Sequence, residues 1–427
     1  MVRQRAVRGR LRLHKAAGRA ELAWARAVLE GDPSQAAALD ARLATPLHYA
    51  AAGWRSLHSA CLHRPPRLLE DGRPAAREAV IRLLIAAAPN RAAAVDSELQ
   101  TPLHRAAGCG HEGALRLLLA AAPVAATMPD IWGNLPLHLA ARLHLAAAAD
   151  EASALSLLAE APSAAAAPAG ERSPHPHCLP LHVAARFGRR ALVAALLEAA
   201  PEAAAKAAAG GELPLHCAAA GREEGHPAVR SLLLSAAPGA ATALGKGCTP
   251  LHRAAIEGNA SSVAQLLAAA PQAAAIRSSW DAIPLQLALR PRTLEGPDGL
   301  AAARLLLAAG PGEAAAEALA RAVRNPCDTE RALRLLPELV ARWALPPAAW
   351  AELPGECAGL EAALPAVLAR SEGEAALLVG RLPGAAADAL RARALCLARL
   401  QRRTAVLLPV PALRHILSLA LPPPEAF

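Results

Sequence analysis

Aromatic side chains are scarce in this chain, with nine among 427 residues, six of them tryptophan. The arginines are scattered and form no block. Despite a formal charge of +9, the interleaved basic and aromatic surface of a nucleic-acid binder is therefore missing. The arginines are read as solvated helix faces, the densest cluster being Arg391, Arg393, Arg399, Arg402 and Arg403 on a candidate C-terminal helix, and no nucleic-acid partner is expected. Lysine is nearly absent, 42 of the 45 basic residues being arginine; with so much alanine this reads as codon usage. No apolar run reaches the ~18 residues that a membrane span needs, so no membrane partner is expected.

Paired cysteine spacing is missing as well. The eight cysteines, at 61, 109, 178, 217, 248, 327, 357 and 396, contain no Cys-x-x-Cys, and no secretory signal precedes them. They read as thiols in a reducing compartment, which places the protein inside the cell, in cytoplasm or nucleus. Catalytic signatures are absent too: no Gly-x-Ser-x-Gly, no Walker loop, no Gly-x-Gly-x-x-Gly after a strand and no His-Glu-x-x-His. No catalytic residue and no cofactor is assigned, and an enzyme is not expected.

What the chain does contain is a period. Pro-Leu-His recurs at Pro46, Pro102, Pro136, Pro180, Pro214 and Pro250, Pro-Leu-Gln stands at Pro284, and Arg12-Leu13-His14 fits the same frame without its proline. The steps between these starts are 34, 56, 34, 44, 34, 36 and 34 residues. A proline follows 21 residues after the start in four repeats, at Pro33, Pro123, Pro201 and Pro271. The longer steps are therefore insertions, at 54–75, around His144–Asp150 and around Pro168–Cys178. The repeat beginning at Pro102 predicts a short helix to about Cys109, a second helix from Glu112 to Ala122, and a finger of about a dozen residues. Two short amphipathic helices make half a core, and stacked copies complete it.

The frame Thr-Pro-Leu-His-x-Ala-Ala, a following glycine and a leucine-rich second helix resemble the ankyrin repeat, over roughly residues 10–311. Two departures stand out: the second helix ends in Ala-Ala-Pro where the family usually has glycine, and the repeat runs one residue long. The resemblance implies an all-α fold, an ankyrin-type α-solenoid of helix–turn–helix–finger repeats with a helical C-terminal extension. Residues 1–311 form the array, with about eight repeats starting near 12, 46, 102, 136, 180, 214, 250 and 284. Residues 312–345 would be a degenerate ninth helix pair, over 313–324 and 328–343, acting as a cap. Residues 346–427 would be a helical tail. The arginine-rich start runs straight into the first repeat and reads as a capping helix. The second helix of that repeat is expected over Glu21 to Glu30, with Trp24, Val28 and Leu29 on its apolar face. The last helix of the array is expected from Leu300 to Ala309.

The seven periodic histidines, His14, His48, His104, His138, His182, His216 and His252, are numerous enough to suggest catalysis, but one per repeat is the mark of architecture. By resemblance to the family, each hydrogen-bonds within and between turns. Two clusters fall outside the period: His58, Cys61 and His63 in the first insertion, and His175, His177 and Cys178 before Pro180. Each offers three nitrogen or sulfur ligands where zinc takes about four, so no metal site is assigned.

Binding is what is left. Carried over from the family position by position, the contact residues are Ile131, Trp132 and Asn134 in one finger and Ser279, Trp280 and Ala282 in another. On the first helices they are Arg142 and Leu143, Arg186 and Phe187, and Ile256 and Glu257. Trp132 and Trp280 each stand four residues before the next repeat's proline. Such rings either anchor a partner or fold back on the neighbouring finger. The functional expectation is a non-catalytic scaffold for a protein partner of unknown identity. An alternative comes from the tail: Leu395-Cys396-Leu397-Ala398-Arg399-Leu400 followed by Leu408-Pro409-Val410-Pro411-Ala412-Leu413 resembles the SOCS box, and Leu408–Leu417 more loosely an F-box helix. That resemblance implies a substrate adaptor of a cullin-type ubiquitin ligase, meeting a ligase linker through 390–421.

Overall fold

The computed structural model describes residues 12–52, 74–142, 148–223, 225–290, 297–310 and 335–342, and further along 344, 345, 350, 353, 357, 360–390 and 392. The chain forms two compact units, Met1–Ala240 and Ala241–Phe427. Among the described residues the regular elements are α-helices and 3-10 turns, with a single isolated bridge between Gly245 and Cys248.

In the first unit the helices come in pairs: α1 (Arg12–Gly18) and α2 (Leu22–Gly31), α3 (Pro46–Ala52) and α4 (Pro74–Ala87), α5 (Pro102–Cys109) and α6 (Glu112–Ala121). They continue as α7 (Pro136–Ala141) and α8 (Ala148–Glu160), α9 (Pro180–Arg186) and α10 (Arg190–Ala199), and α11 (Pro214–Ala219) and α12 (His226–Ala236). First helices pack on first helices of the next repeat and second helices on second helices. Alanine makes the first contact possible: Ala106, Ala107, Ala140, Ala141, Ala184 and Ala185 are all buried at the close approach. Leucines of the second helices, such as Leu115, Leu118 and Leu196, fill the wider gap behind them. Each buried leucine is worth about 1.5–3 kcal/mol. In the first repeat only Ala25 and Leu29 of α2 are buried, Trp24 and Val28 being half-buried.

From α3 on, each first helix starts at its proline because the missing N–H falls on a position with no intrahelical partner. The second helix α6 ends at Ala121, one residue before the expected boundary, whereas α2 runs one residue past it, to Gly31. The residue preceding the next proline is pushed out of the α region by the ring: Ala122, Ala200 and Ala161 lie at φ −148, −148 and −133°. The proline then opens a 3-10 turn, as in Pro123–Thr127, Pro162–Ala166 and Pro201–Ala205. Two alanines of each turn are buried, Ala125 and Ala126 in the first of these. The extra residue of the repeat is thus absorbed in a turn that contributes to the core.

The second unit repeats the pattern with α13 (Pro250–Glu257) and α14 (Ala260–Ala269), then α15 (Pro284–Ala288) and α16 (Pro297–Ala309). Helix α16 begins three residues earlier than the leucine spacing indicates, because Pro297 occupies its first turn. Of the expected ninth pair, 313–324 lies outside the described residues, and α17 (Leu336–Arg342) stands within the second member. Arg304 Nε meets Glu338 Oε1 at 2.6 Å, joining α16 to α17. In the tail, α18 (Leu364–Arg370) and α19 (Glu372–Val379) are followed by helical residues 384–390. Arg370 donates to Val340 O at 3.0 Å and pairs with Glu374, so α18 packs on α17 and α19 on α18.

Candidate functional site

The periodic histidines occupy the third position of their helices and tie adjacent repeats together. In His48 the Nδ1 atom accepts the Thr45 N–H at 3.1 Å, and Nε2 lies 2.9 Å from the Gln100 carbonyl. His104, His138 and His182 repeat this, with Nδ1 accepting from Thr101, Leu135 and Leu179 and Nε2 meeting the carbonyls of Asn134, Cys178 and Glu212. An acceptor at Nδ1 requires the proton on Nε2, which donates to the next finger. His14 reaches the Ala44 carbonyl, His216 accepts the Leu213 N–H, and in the second unit His252 joins Thr249 to the Ala282 carbonyl. Burial pushes His48, His138 and His182 down to about 4, outweighing the lift from their carbonyl bonds. His104 and His252 are lowered for the same reason. These imidazoles are neutral, buried and engaged, so none of them is placed to act as a base or a ligand.

The fingers are built by short polar side chains. Asp96 Oδ1 accepts the N–H groups of Glu98 and Gln100, and Asp130 Oδ1 those of Trp132 and Asn134. Ser278 does the same for Trp280 and Ala282. Three residues before each first helix the backbone turns through positive φ, at Leu43, Leu99, Gly133, His177 and Asp281 among others. Neighbouring fingers then bond directly: Ser97 N to Arg42 O, Ile131 N to Glu98 O, and in the second unit Ser279 N to Gly247 O. The finger aspartates are reached from the first helix as well, Tyr49 bonding Asp40 and Arg105 bonding Asp96. Burial raises the Asp96 carboxyl, but Arg105 and two backbone donors hold it below the ordinary carboxylate range.

Within this frame the contact residues named from sequence fall in two groups. Ile131, Ser279 and Trp280 are exposed at finger tips, Trp280 to 61%. Trp132, Asn134 and Ala282 are half-buried, and the Asn134 and Ala282 carbonyls are taken by the histidines. The first-helix positions lie at helix ends: Arg186, Ile256 and Glu257 close α9 and α13, whereas Arg142 and Phe187 come just after α7 and α9. Leu143 lies outside the described residues. The structure brings Asn134, Arg142, Arg186 and Phe187 to the wall of one cavity of about 290 Å³. Sequence reasoning missed Leu139, Val183 and Ser173, which share that wall; the padded finger at Pro168–Cys178 was the available signal. His175, one of the three nitrogen and sulfur groups clustered before Pro180, faces Arg186 Nη1 at 3.4 Å. Among the described residues no His, Cys, Asp and Glu group is arranged to hold a metal, and none of the described cysteines forms a disulfide. No helix among them is long and apolar enough to cross a membrane.

Comparison with known families agrees with the geometry. Residues 84–140 match the model for ankyrin repeats (many copies) and residues 181–277 that for ankyrin repeats (3 copies). No curated protein matches the chain. The helix pairs, fingers and histidine bonds together make this an all-α fold of ankyrin-type repeats.

Proposed function

From these ankyrin repeats we propose a non-catalytic protein–protein interaction scaffold that takes its partner on the finger tips and the carboxy ends of the first helices. Ankyrin repeats are in general protein-interaction modules. One observation supports the reading above others. The frame residues are buried in repeat after repeat, while the tip and helix-end positions differ between repeats, and five of them, Ile131, Arg142, Arg186, Glu257 and Trp280, are exposed. Constant frames with variable edges suit recognition, since the edges change without disturbing the core. The expected place of action is inside the cell, in cytoplasm or nucleus.

Affinity capture with the full chain tests this. A protein retained by the wild type and lost from a chain with Trp280→Ala, Arg142→Glu and Arg186→Glu supports the reading. A protein retained equally by both chains sinks it. The adaptor reading rests on the SOCS-like elements within 390–421, of which only 390 and 392 are among the described residues. Recovery of elongin or a Skp-type linker with the full chain, and its loss on Leu408→Ala with Pro409→Ala, is the outcome that would favour it.

A further inference from the structure

The cavity beside α7 and α9 combines apolar and cationic groups. Leu139, Val183 and Phe187 are half-buried in its wall beside the polar Asn134, His138, Ser173 and His182, and Arg142 and Arg186 are exposed and so form its rim. The two arginines hold the same register, six residues after Pro136 and Pro180. Both are exposed, and neither forms an ion pair with any described residue. Arg186 touches the His175 ring, and Glu212 is the single acidic residue among the described lining residues. Two exposed guanidinium groups with no ion-pair partner among the described residues, beside apolar side chains, are a receptor for carboxylates that flank a hydrophobic side chain, because the fork geometry of arginine favours carboxylate oxygens.

Size and spacing narrow the occupant. The cavity of about 290 Å³ lies at the small end of ligand pockets, which run to about 300–1,000 Å³; it has room for one bulky side chain. Helices α7 and α9 pack directly, and packed helices stand about 8–10 Å apart. Three residues of extended chain, at about 3.3 Å each, cover that distance. Resting on the scaffold reading above, we infer that this cavity binds an extended acidic peptide of the partner, with a bulky apolar residue in the hollow and Asp or Glu three residues apart on Arg142 and Arg186. The rim charges also steer the encounter, so association slows as salt screens them.

The test is fluorescence anisotropy of the full chain with labelled, amidated octapeptides Gly-Ser-Asp-Xaa-Ala-Glu-Ser-Gly, where Xaa is Leu, Ile, Met, Phe or Trp. Controls carry Asn and Gln in place of the two acids, or Ala at Xaa. The best acidic peptide is expected to bind about tenfold or more tighter than its amide twin. That preference disappears in Arg142→Gln with Arg186→Gln and reverses toward lysine peptides in the double Glu variant, while the melting curve stays unchanged because both side chains are exposed. Equal binding of acid and amide peptides, binding indifferent to the arginine variants, or no binding by any member overturns the assignment. The scaffold reading fails separately: it falls when the triple variant retains partner as the wild type does, whereas loss of partner on Trp280→Ala alone leaves the scaffold standing without this cavity.

Discussion

His104 and Gln286 perform the same capping task with different atoms. The Thr101 N–H donates to His104 Nδ1 at 3.1 Å, and the Ile283 N–H donates to Gln286 Oε1 at 3.0 Å. They part company at the other end of the side chain. His104 Nε2 reaches the Asn134 carbonyl thirty residues on, whereas Gln286 Nε2 is buried and makes no hydrogen bond with any described residue. The cap belongs to one repeat; the second bond joins two.

That division predicts a graded response. His104→Ala strips a buried N–H and a buried carbonyl of their partners and should cost about 2–4 kcal/mol. His104→Gln keeps the cap and should cost about half as much. Urea denaturation of the two variants measures this, and equal losses would show that the two bonds are not separable.

Acid should weaken the chain before its carboxylates titrate. His48, His138 and His182 have folded values of about 4 against an ordinary 6.5. Between those values the unfolded chain binds more protons than the folded one, so stability is full above pH ~6.5 and falls as pH drops toward 4. The loss approaches on the order of 3 kcal/mol for each such histidine. Urea midpoints at pH 7.5, 6, 5 and 4.5 should descend steadily, with a shallower descent for His138→Gln. A flat profile would contradict buried neutral imidazoles.

Leu43 and Leu99 sit at φ 60 and 56° with half their surface exposed. Left-handed backbone costs an L-residue about 1–2 kcal/mol, and asparagine tolerates it better. Leu43→Asn or Leu99→Asn should therefore raise stability by about 0.5–1 kcal/mol, seen as a higher urea midpoint. A drop would mean that these leucines pack on something their exposure does not reveal.

Gly133 works in the opposite sense. It lies at φ 74°, and a Cβ there would stand 2.5 Å from the Gly170 Cα of the next finger. Gly133→Ala combines left-handed strain with a backbone clash and should cost about 2–4 kcal/mol. Amide exchange around 130–135 and 169–173 should accelerate first, since the two fingers separate there. Unchanged protection would show that the fingers yield freely.

The two finger tryptophans should behave differently. Trp280→Ala removes an exposed ring and should change stability by less than about 0.5 kcal/mol while lowering partner retention. Trp132→Ala removes a half-buried ring and should lower both. Thermal melts beside the capture assay separate these effects, and a large loss of stability in Trp280→Ala would make that ring structural.

Much of this was legible in the residues themselves. The Pro-Leu-His register locates the first helices, because proline, the capping residue and the histidine act within four residues of each other. The alanines after Pro123 and Pro201 were less legible. A proline announces that a helix stops, but whether the next alanines dangle or pack depends on what lies beside them, and here they are buried in a 3-10 turn. Likewise the Leu300 spacing hid the start of α16, since Pro297 and Asp298 are exposed and carry no apolar pattern.

The sequence by itself determined the repeat, its helices, its breaks and the histidine in each cap, all of which arise from neighbours a few residues apart and are written out again every repeat. Tertiary structure alone decided which of two look-alike tryptophans is open, and that residues as distant as Asn134, Arg142, His175 and Arg186 share one cavity wall. Those outcomes depend on which groups the neighbouring repeats bring against each finger, and no local spacing records that.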